Sequence, residues 1–250
     1  MMKTKTVLIT GGNKGIGLSL TEAFNLNKFN VFVGSRSLGD LQKIDNKNVT
    51  HIKTDIRDES QISNLVNLAQ EKTGKIDVVI NNAGYSEWRP IEEMDNNFLD
   101  DILSTNLKSV FFICKHALKS LNKGSSIINI SSIAGKRGSA NNSAYSATKF
   151  GVNAITQSLA KELGPKGIRV NGICPVLIET EGLLNALEKK FAPGVDDGRD
   201  FIKNFCKENS ALGHMPSAKD VASLCLFLAS DEASSITGQN INLDCGVFPQ

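Results

Sequence analysis

Short apolar runs alternate with longer amphipathic stretches from one end of the chain to the other. The pattern predicts strands at Thr6–Thr10, Asn30–Gly34, Val49–Lys53, Ile76–Asn81, Ile127–Ser131, Arg169–Cys174 and Gln239–Leu243. Between them it predicts helices at Gly15–Asn27, Ser60–Thr73, a long tract from Asp95 to Leu121, Tyr145–Leu163 and Ala218–Ala229. Ser217 with Asp220 three residues later reads as a capping box that opens the last of these. Runs such as Val7-Leu8-Ile9 and Val78-Val79-Ile80 are continuous rather than alternating, the pattern of strands buried on both faces. Strand–helix–strand repetition with right-handed crossovers then gives an α/β fold, a doubly wound parallel sheet of about seven strands with helices on both faces. No Pro-, Gly- or Ser-rich linker interrupts the 250 residues, so a single domain spanning 1–250 is expected. The least regular stretch is 178–216, where Pro193-Gly194 and Asp197-Gly198 signal turns; it is expected to be a mobile excursion acting as a substrate lid.

Composition narrows the class without deciding it. Apolar residues make up 40%, charged residues 22%, and there are 6 prolines, which excludes disorder and coiled coil as global readings. A net charge of +2 with both signs scattered gives no reason to expect nucleic acid or an anionic membrane as partner. No apolar run reaches the roughly 18 residues of a membrane span, and the chain reads as a soluble, cytoplasmic protein. Five cysteines without a C-x-x-C pair and three histidines without ligand spacing make a metal site unexpected.

The first strand runs straight into Thr10-Gly11-Gly12-Asn13-Lys14-Gly15-Ile16-Gly17, and a helix follows. Glycines let backbone approach a pyrophosphate, and a helix N-terminus offers free N–H groups and partial positive charge. Further along, Tyr145 and Lys149 stand four residues apart and so share a helix face. A phenol titrates near 10; lowering it by about three units takes roughly 4 kcal/mol. One ammonium at about 4 Å in an effective dielectric near 20 supplies roughly that. Ser132, thirteen residues upstream at a strand end, is placed to orient a substrate oxygen beside the phenol.

These residues together resemble the short-chain dehydrogenase/reductase superfamily in its form of about 250 residues, over essentially the whole chain. The matching motifs are Thr10–Gly17, Asp55 after strand three, Asn81-Asn82-Ala83-Gly84, Asn106, Ser132, Tyr145 with Lys149, Pro175 with Thr180, and Asp244-Cys245-Gly246. The resemblance implies a Rossmann-like fold with Tyr145 as catalytic acid/base and Ser132 holding the substrate oxygen. Lys149 would lower the phenol's pKa and bind the nicotinamide ribose, and Asn106 would hold a water of a proton relay. Gly11, Asn13, Lys14, Gly15, Ile16 and Gly17 would cradle the dinucleotide. Asn82, Ala83 and Gly84 would line it, Asp55 and Ile56 would face the adenine, and Pro175, Ile178 and Thr180 would flank the nicotinamide. Two positions depart from the family pattern: Val176 and Cys245 stand where glycine is usual.

The implied activity is an NADP(H)-dependent interconversion of a secondary alcohol and a ketone on a small molecule. Strand two ends Gly34-Ser35-Arg36-Ser37 without the carboxylate that binds a ribose 2′-hydroxyl in NAD-specific folds. Arg36 and Lys14 suit a 2′-phosphate, so NADP(H) is expected rather than NAD(H). Trp88 among charged neighbours, together with the charges of 178–216, points toward a sugar, activated sugar or other polar substrate. A 3-oxoacyl-ACP reductase is the alternative, and a dinucleotide-binding sensor without catalysis or a nucleotide-sugar epimerase are further ones. Small residues on the Tyr145–Leu163 helix and the Phe111-Phe112-Ile113 tract suggest a homo-oligomer, a dimer or a tetramer.

Overall fold

A computed structural model describes residues 4–44 and 47–249. Among them seven strands form one parallel sheet in the order β3-β2-β1-β4-β5-β6-β7. The strands are β1 (Thr6–Thr10), β2 (Asn30–Ser35), β3 (Val49–Lys53), β4 (Val78–Asn81), β5 (Ser126–Ile130), β6 (Arg169–Pro175) and β7 (Asn240–Leu243). The helices are α1 (Gly15–Leu26), α2 (Glu59–Thr73), α3 (Asn96–Leu103), α4 (Ser109–Ala117), α5 (Ser143–Leu163), α6 (Glu181–Leu187), α7 (Gly198–Asn209) and α8 (Ala218–Ala229). The fold is Rossmann-like. Strand order reverses between β1 and β4, and such a switch point opens a ligand crevice at the carboxyl ends of these strands.

Successive side chains of a strand face opposite sides, so β1 must be apolar throughout to serve two cores. Leu8 joins one core with Ile62, Leu65, Val79, Ile127 and Ile155, under α2, α4 and α5. Val7 and Ile9 join the other with Leu20, Phe24, Ile80, Val221 and Leu228, under α1 and α8. Polar residues also enter this interior, and some pair across it: Asn81 donates to Asn129 at 2.8 Å, and Asn129 donates to Thr156 at 2.9 Å. Among the described residues no helix is long and apolar enough to cross a membrane.

Most strand and helix ends fall within two residues of those expected, and the Ser217–Asp220 capping box is present. One expectation is refined and one is corrected. The tract from Asp95 to Leu121 is helical over 96–117, as expected, but it is not α-helical throughout: a π-helical turn at Ser104–Lys108 separates α3 from α4. Its extra residue is tolerated because the buried Asn106 side chain is tied to backbone outside the helix, as described below. The stretch 178–216 is not irregular either. It holds α6 and α7, the latter capped by the Asp197 carboxylate, which accepts from Arg199 and Asp200 backbone N–H groups at 2.9 and 3.0 Å. These two short helices pack with Trp88 in a satellite core of Ala186, Leu187, Ala192 and Ile202.

Candidate active site

At the switch point, Gly11 takes φ +64°, and its N–H donates to the Gly34 carbonyl at 2.8 Å. A Cβ on Gly17 would stand 1.9 Å from the Gly11 carbonyl oxygen, so the first turn of α1 can pass the loop only as glycine. The Thr10 hydroxyl accepts from the Asn82 and Ala83 backbone N–H groups, each at 3.1 Å. Asn82 returns the contact, donating through Nδ2 to the Thr10 and Gly11 carbonyls at 2.9 and 3.1 Å. Its amide is thus a strut between the loops after β1 and β4. Lys14 and Gly15 are exposed at the start of α1, whose N-terminus has no side-chain cap and keeps its N–H groups for a ligand. Thr180 faces this turn: its methyl lies 3.4 Å from where a Cβ on Gly15 would be, and its hydroxyl caps α6. Ile178 is buried in the core beside α8, and Pro175 closes β6 against Leu243.

Next to this turn, Ser35 is buried and Arg36 exposed. The Ser35 hydroxyl donates to the Ser37 carbonyl at 2.8 Å and lies 2.9 Å from His51 Nε2. Its hydrogen-bonding capacity is taken up inside the protein. At the end of β3 the Asp55 carboxylate grips Arg57, whose guanidinium also reaches Asp101 at 2.5 Å; Ile56 is buried beside it. Arg57 bonding holds the Asp55 carboxyl below the usual carboxylate range, with the Arg36 charge adding to it. Asp101 in turn accepts from the Tyr85 hydroxyl at 2.8 Å.

The catalytic candidates converge at the ends of β4 and β5. Burial raises the Tyr145 phenol above its ordinary value, and a hydrogen bond with the Ser132 hydroxyl works against that. Ser132 Oγ also accepts from the Ala134 N–H at 3.1 Å, which orients it. Lys149 is only 5% exposed, and burial pulls its ammonium down to about 8. Its Nζ donates to the Ile130 carbonyl at 2.9 Å and stands 5.7 Å from the Tyr145 ring centre. The ammonium thus stands on the same side of the helix as the phenol, where its positive charge favours the phenolate.

Asn106 is buried in the π-helical turn. It accepts from the Tyr85 N–H at 3.0 Å and donates to the Tyr85 carbonyl at 2.8 Å. A Cβ on Gly84 would meet Asn106 Oδ1 at 3.1 Å and Lys149 Nζ at 3.7 Å, so Gly84 keeps open the seam between them. Phe98, Ile102 and Ala144, with Tyr85, Met94 and Leu99, form an apolar wall around Tyr145.

A dinucleotide fits this set. The glycine turn gives close backbone approach, and among the described residues Lys14 and Arg36 have no carboxylate within ion-pair distance. Trp88 departs from expectation: it is buried in the satellite core instead of lining the open crevice. The neighbouring charges are paired, Glu87 with Arg89 and Lys189, and Glu179 with Arg199. Sequence reading missed His51, Arg57, Asp101 and Tyr85, because their roles come from contacts between distant segments that no local spacing announces.

Residues 11–248 match a family model described as enoyl-(acyl carrier protein) reductase. An L-2,3-butanediol dehydrogenase of Corynebacterium glutamicum is 33% identical, covering 98% of this chain and 99% of its own. The 3-oxoacyl-[acyl-carrier-protein] reductase FabG of Chlamydia muridarum is 31% identical over 99% of this chain and 98% of its own. Among solved structures, an actinorhodin polyketide ketoreductase variant crystallised with NADPH superposes with a TM-score of 0.89. It is 26% identical and covers 99% of this chain and 98% of its own.

Proposed function

The chain belongs to the short-chain dehydrogenase/reductase family of oxidoreductases, and on that premise we propose that it interconverts a secondary alcohol and a ketone with NADP(H). The observation that carries this reading is the joint placement of Ser132, Tyr145 and Lys149 beside the glycine turn. The bound nicotinamide supplies hydride; the protein aligns the carbonyl and handles the proton. Ser132 holds the substrate oxygen, Tyr145 donates its proton to the forming alkoxide, and Lys149 stabilises the phenolate left behind. Asn106 fixes the Tyr85 backbone, and its turn borders the route by which a proton returns to Lys149. NADP(H) is favoured by exposed Arg36 and Lys14 and by the absence of a carboxylate at the end of β2.

The substrate proposed is a small, hydroxylated ketone. A shallow depression of about 400 Å³ beside Thr180 is lined by Glu179, Thr180, Glu181, Leu184, Asn185, Glu188 and Arg199. Its excess of carboxylates along α6 favours the approach of neutral, hydroxylated molecules over anionic ones. A 3-oxoacyl thioester is the second reading, favoured by the acyl-carrier-protein reductases among the relatives. Helices α6 and α7 serve as a lid, and the exposed faces of α4 and α5 join copies into a homo-oligomer. Cofactor consumption measured across keto-sugars, small diketones and 3-oxoacyl thioesters, each with NADPH and NADH, tests these points. Turnover of a hydroxylated ketone with higher kcat/KM for NADPH is expected. Binding of cofactor without hydride transfer to any ketone favours a sensor, and a higher kcat/KM with NADH sinks the cofactor assignment.

A further inference from the structure

The two cations assigned to the 2′-phosphate are exposed, yet the residues beside them in the chain are locked. Ser35 and Asn13 are each 7% exposed. Asn13 precedes Lys14, and Ser35 and Ser37 flank Arg36. The Ser37 carbonyl accepts two hydrogen bonds, from the Ser35 hydroxyl at 2.8 Å and from Asn13 Nδ2 at 3.0 Å. The Asn13 carbonyl then accepts from the Asp40 N–H at 3.0 Å. A Cβ on Gly39 would stand 2.7 Å from Asn13 Nδ2, so the loop wraps this side chain closely. One polar brace therefore joins the glycine turn to the loop after β2.

His51 anchors the brace from behind. In the β2–β3 register it pairs with Val33, and Ser35, two residues on, shares that face. His51 Nε2 lies 2.9 Å from Ser35 Oγ and 3.2 Å from the Ser35 carbonyl. The carbonyl can only accept, and the hydroxyl spends its proton on Ser37, so Nε2 carries the hydrogen and donates to both. We infer that His51 is a positioning residue for cofactor selectivity: through Ser35, Ser37 and Asn13 it fixes the spacing of Arg36 and Lys14 that distinguishes a 2′-phosphate from a 2′-hydroxyl. This rests on the NADP(H) reading above. A bidentate guanidinium contact depends on orientation as well as charge, so loosening its base weakens phosphate recognition while leaving the adenine and pyrophosphate contacts in place.

Calorimetric Kd values for NADPH and NADH, taken on wild type, His51→Leu and His51→Gln, test the inference. Wild type is expected to bind NADPH more tightly. His51→Leu loses the donor and weakens NADPH about tenfold, the scale of one lost hydrogen-bonded anchor, with NADH changed less than about twofold. His51→Gln keeps an N–H donor of similar reach and recovers most of the loss. Equal weakening for both cofactors, or no change for either, overturns the inference while leaving the NADP(H) reading intact. A wild type that binds NADH more tightly overturns that reading, and the inference with it, before any variant is made. Should His51→Leu fail to fold, Ser35→Ala is expected to shift the NADPH-to-NADH ratio in the same direction, and an unchanged ratio there is equally fatal.

Discussion

At Lys149 the chain keeps an ammonium 5% exposed, with the Ile130 carbonyl as hydrogen-bond acceptor. Its pKa of about 8 lies below the ordinary 10.5 because burial penalises the charge. Between these values the folded protein binds fewer protons than the unfolded chain, so this group makes stability rise with pH across that window. Below about pH 8 the penalty is complete, about 3 kcal/mol from the size of the shift. Lys149→Met should therefore stabilise the protein at pH 7 by about 1–3 kcal/mol, less than the full penalty because the Ile130 carbonyl loses its donor. Urea melts should show the gain shrinking as pH rises from 8 toward 10.5, while cofactor binding and turnover fall. A variant less stable than wild type at pH 7 would contradict the reading. The pair Tyr145 and Lys149 is legible in sequence because helical spacing places both side chains on one face. His51 was not, since its partner lies on another strand, sixteen residues away. Of the two departures from the family pattern, Cys245 is strained at φ +54°, where a side chain costs about 1 kcal/mol. Val176 is absent from the left-handed residues, so losing glycine there strains nothing.

Among the elements, the strands and long helices were readable because burial on both faces leaves an unbroken apolar run. The π-helical turn was not, because an inserted residue keeps the tract apolar and helical in pattern. Its signature is the Asn106 clamp on Tyr85, visible only once the loop after β4 is in place. Helices α6 and α7 were read as irregular because they are short and separated by turn residues. What orders them is a shared satellite core, which Trp88 joins from another loop together with Leu187 and Ile202. Trp88→Ala removes most of that filling, a truncation worth about 3–5 kcal/mol in a well-packed site. Limited proteolysis within 178–216 should quicken and the KM for ketone should rise, with NADPH affinity nearly unchanged. Cleavage at the wild-type rate would show that Trp88 does not hold the lid.

For the molecule as a whole, the sheet order places the glycine turn, the Asn82 strut and the proposed catalytic residues at one end of the strands. That order follows from right-handed crossovers and the resemblance together; no single segment encodes it. Away from this crevice, Phe111 on α4 is 53% exposed and Phe150 on α5 is 48% exposed, beside exposed Ala147 and Ala154. Large aromatics left in water next to small residues fit a helix-to-helix contact between copies. Sedimentation at micromolar concentration should show an oligomer that Phe111→Asp with Phe150→Asp dissociates. A monomeric wild type would refute it.

Turnover of Tyr145→Phe bears on the catalytic assignment more directly than any other measurement. The substitution removes one hydroxyl from an otherwise intact site, so NADPH should still bind with nearly wild-type affinity. Steady-state oxidation of NADPH by the best ketone substrate should fall by about two to four orders of magnitude, the usual weight of a positioned acid. Turnover close to wild type would mean that the proton comes from another group, and the roles given to Ser132, Tyr145 and Lys149 would be wrong.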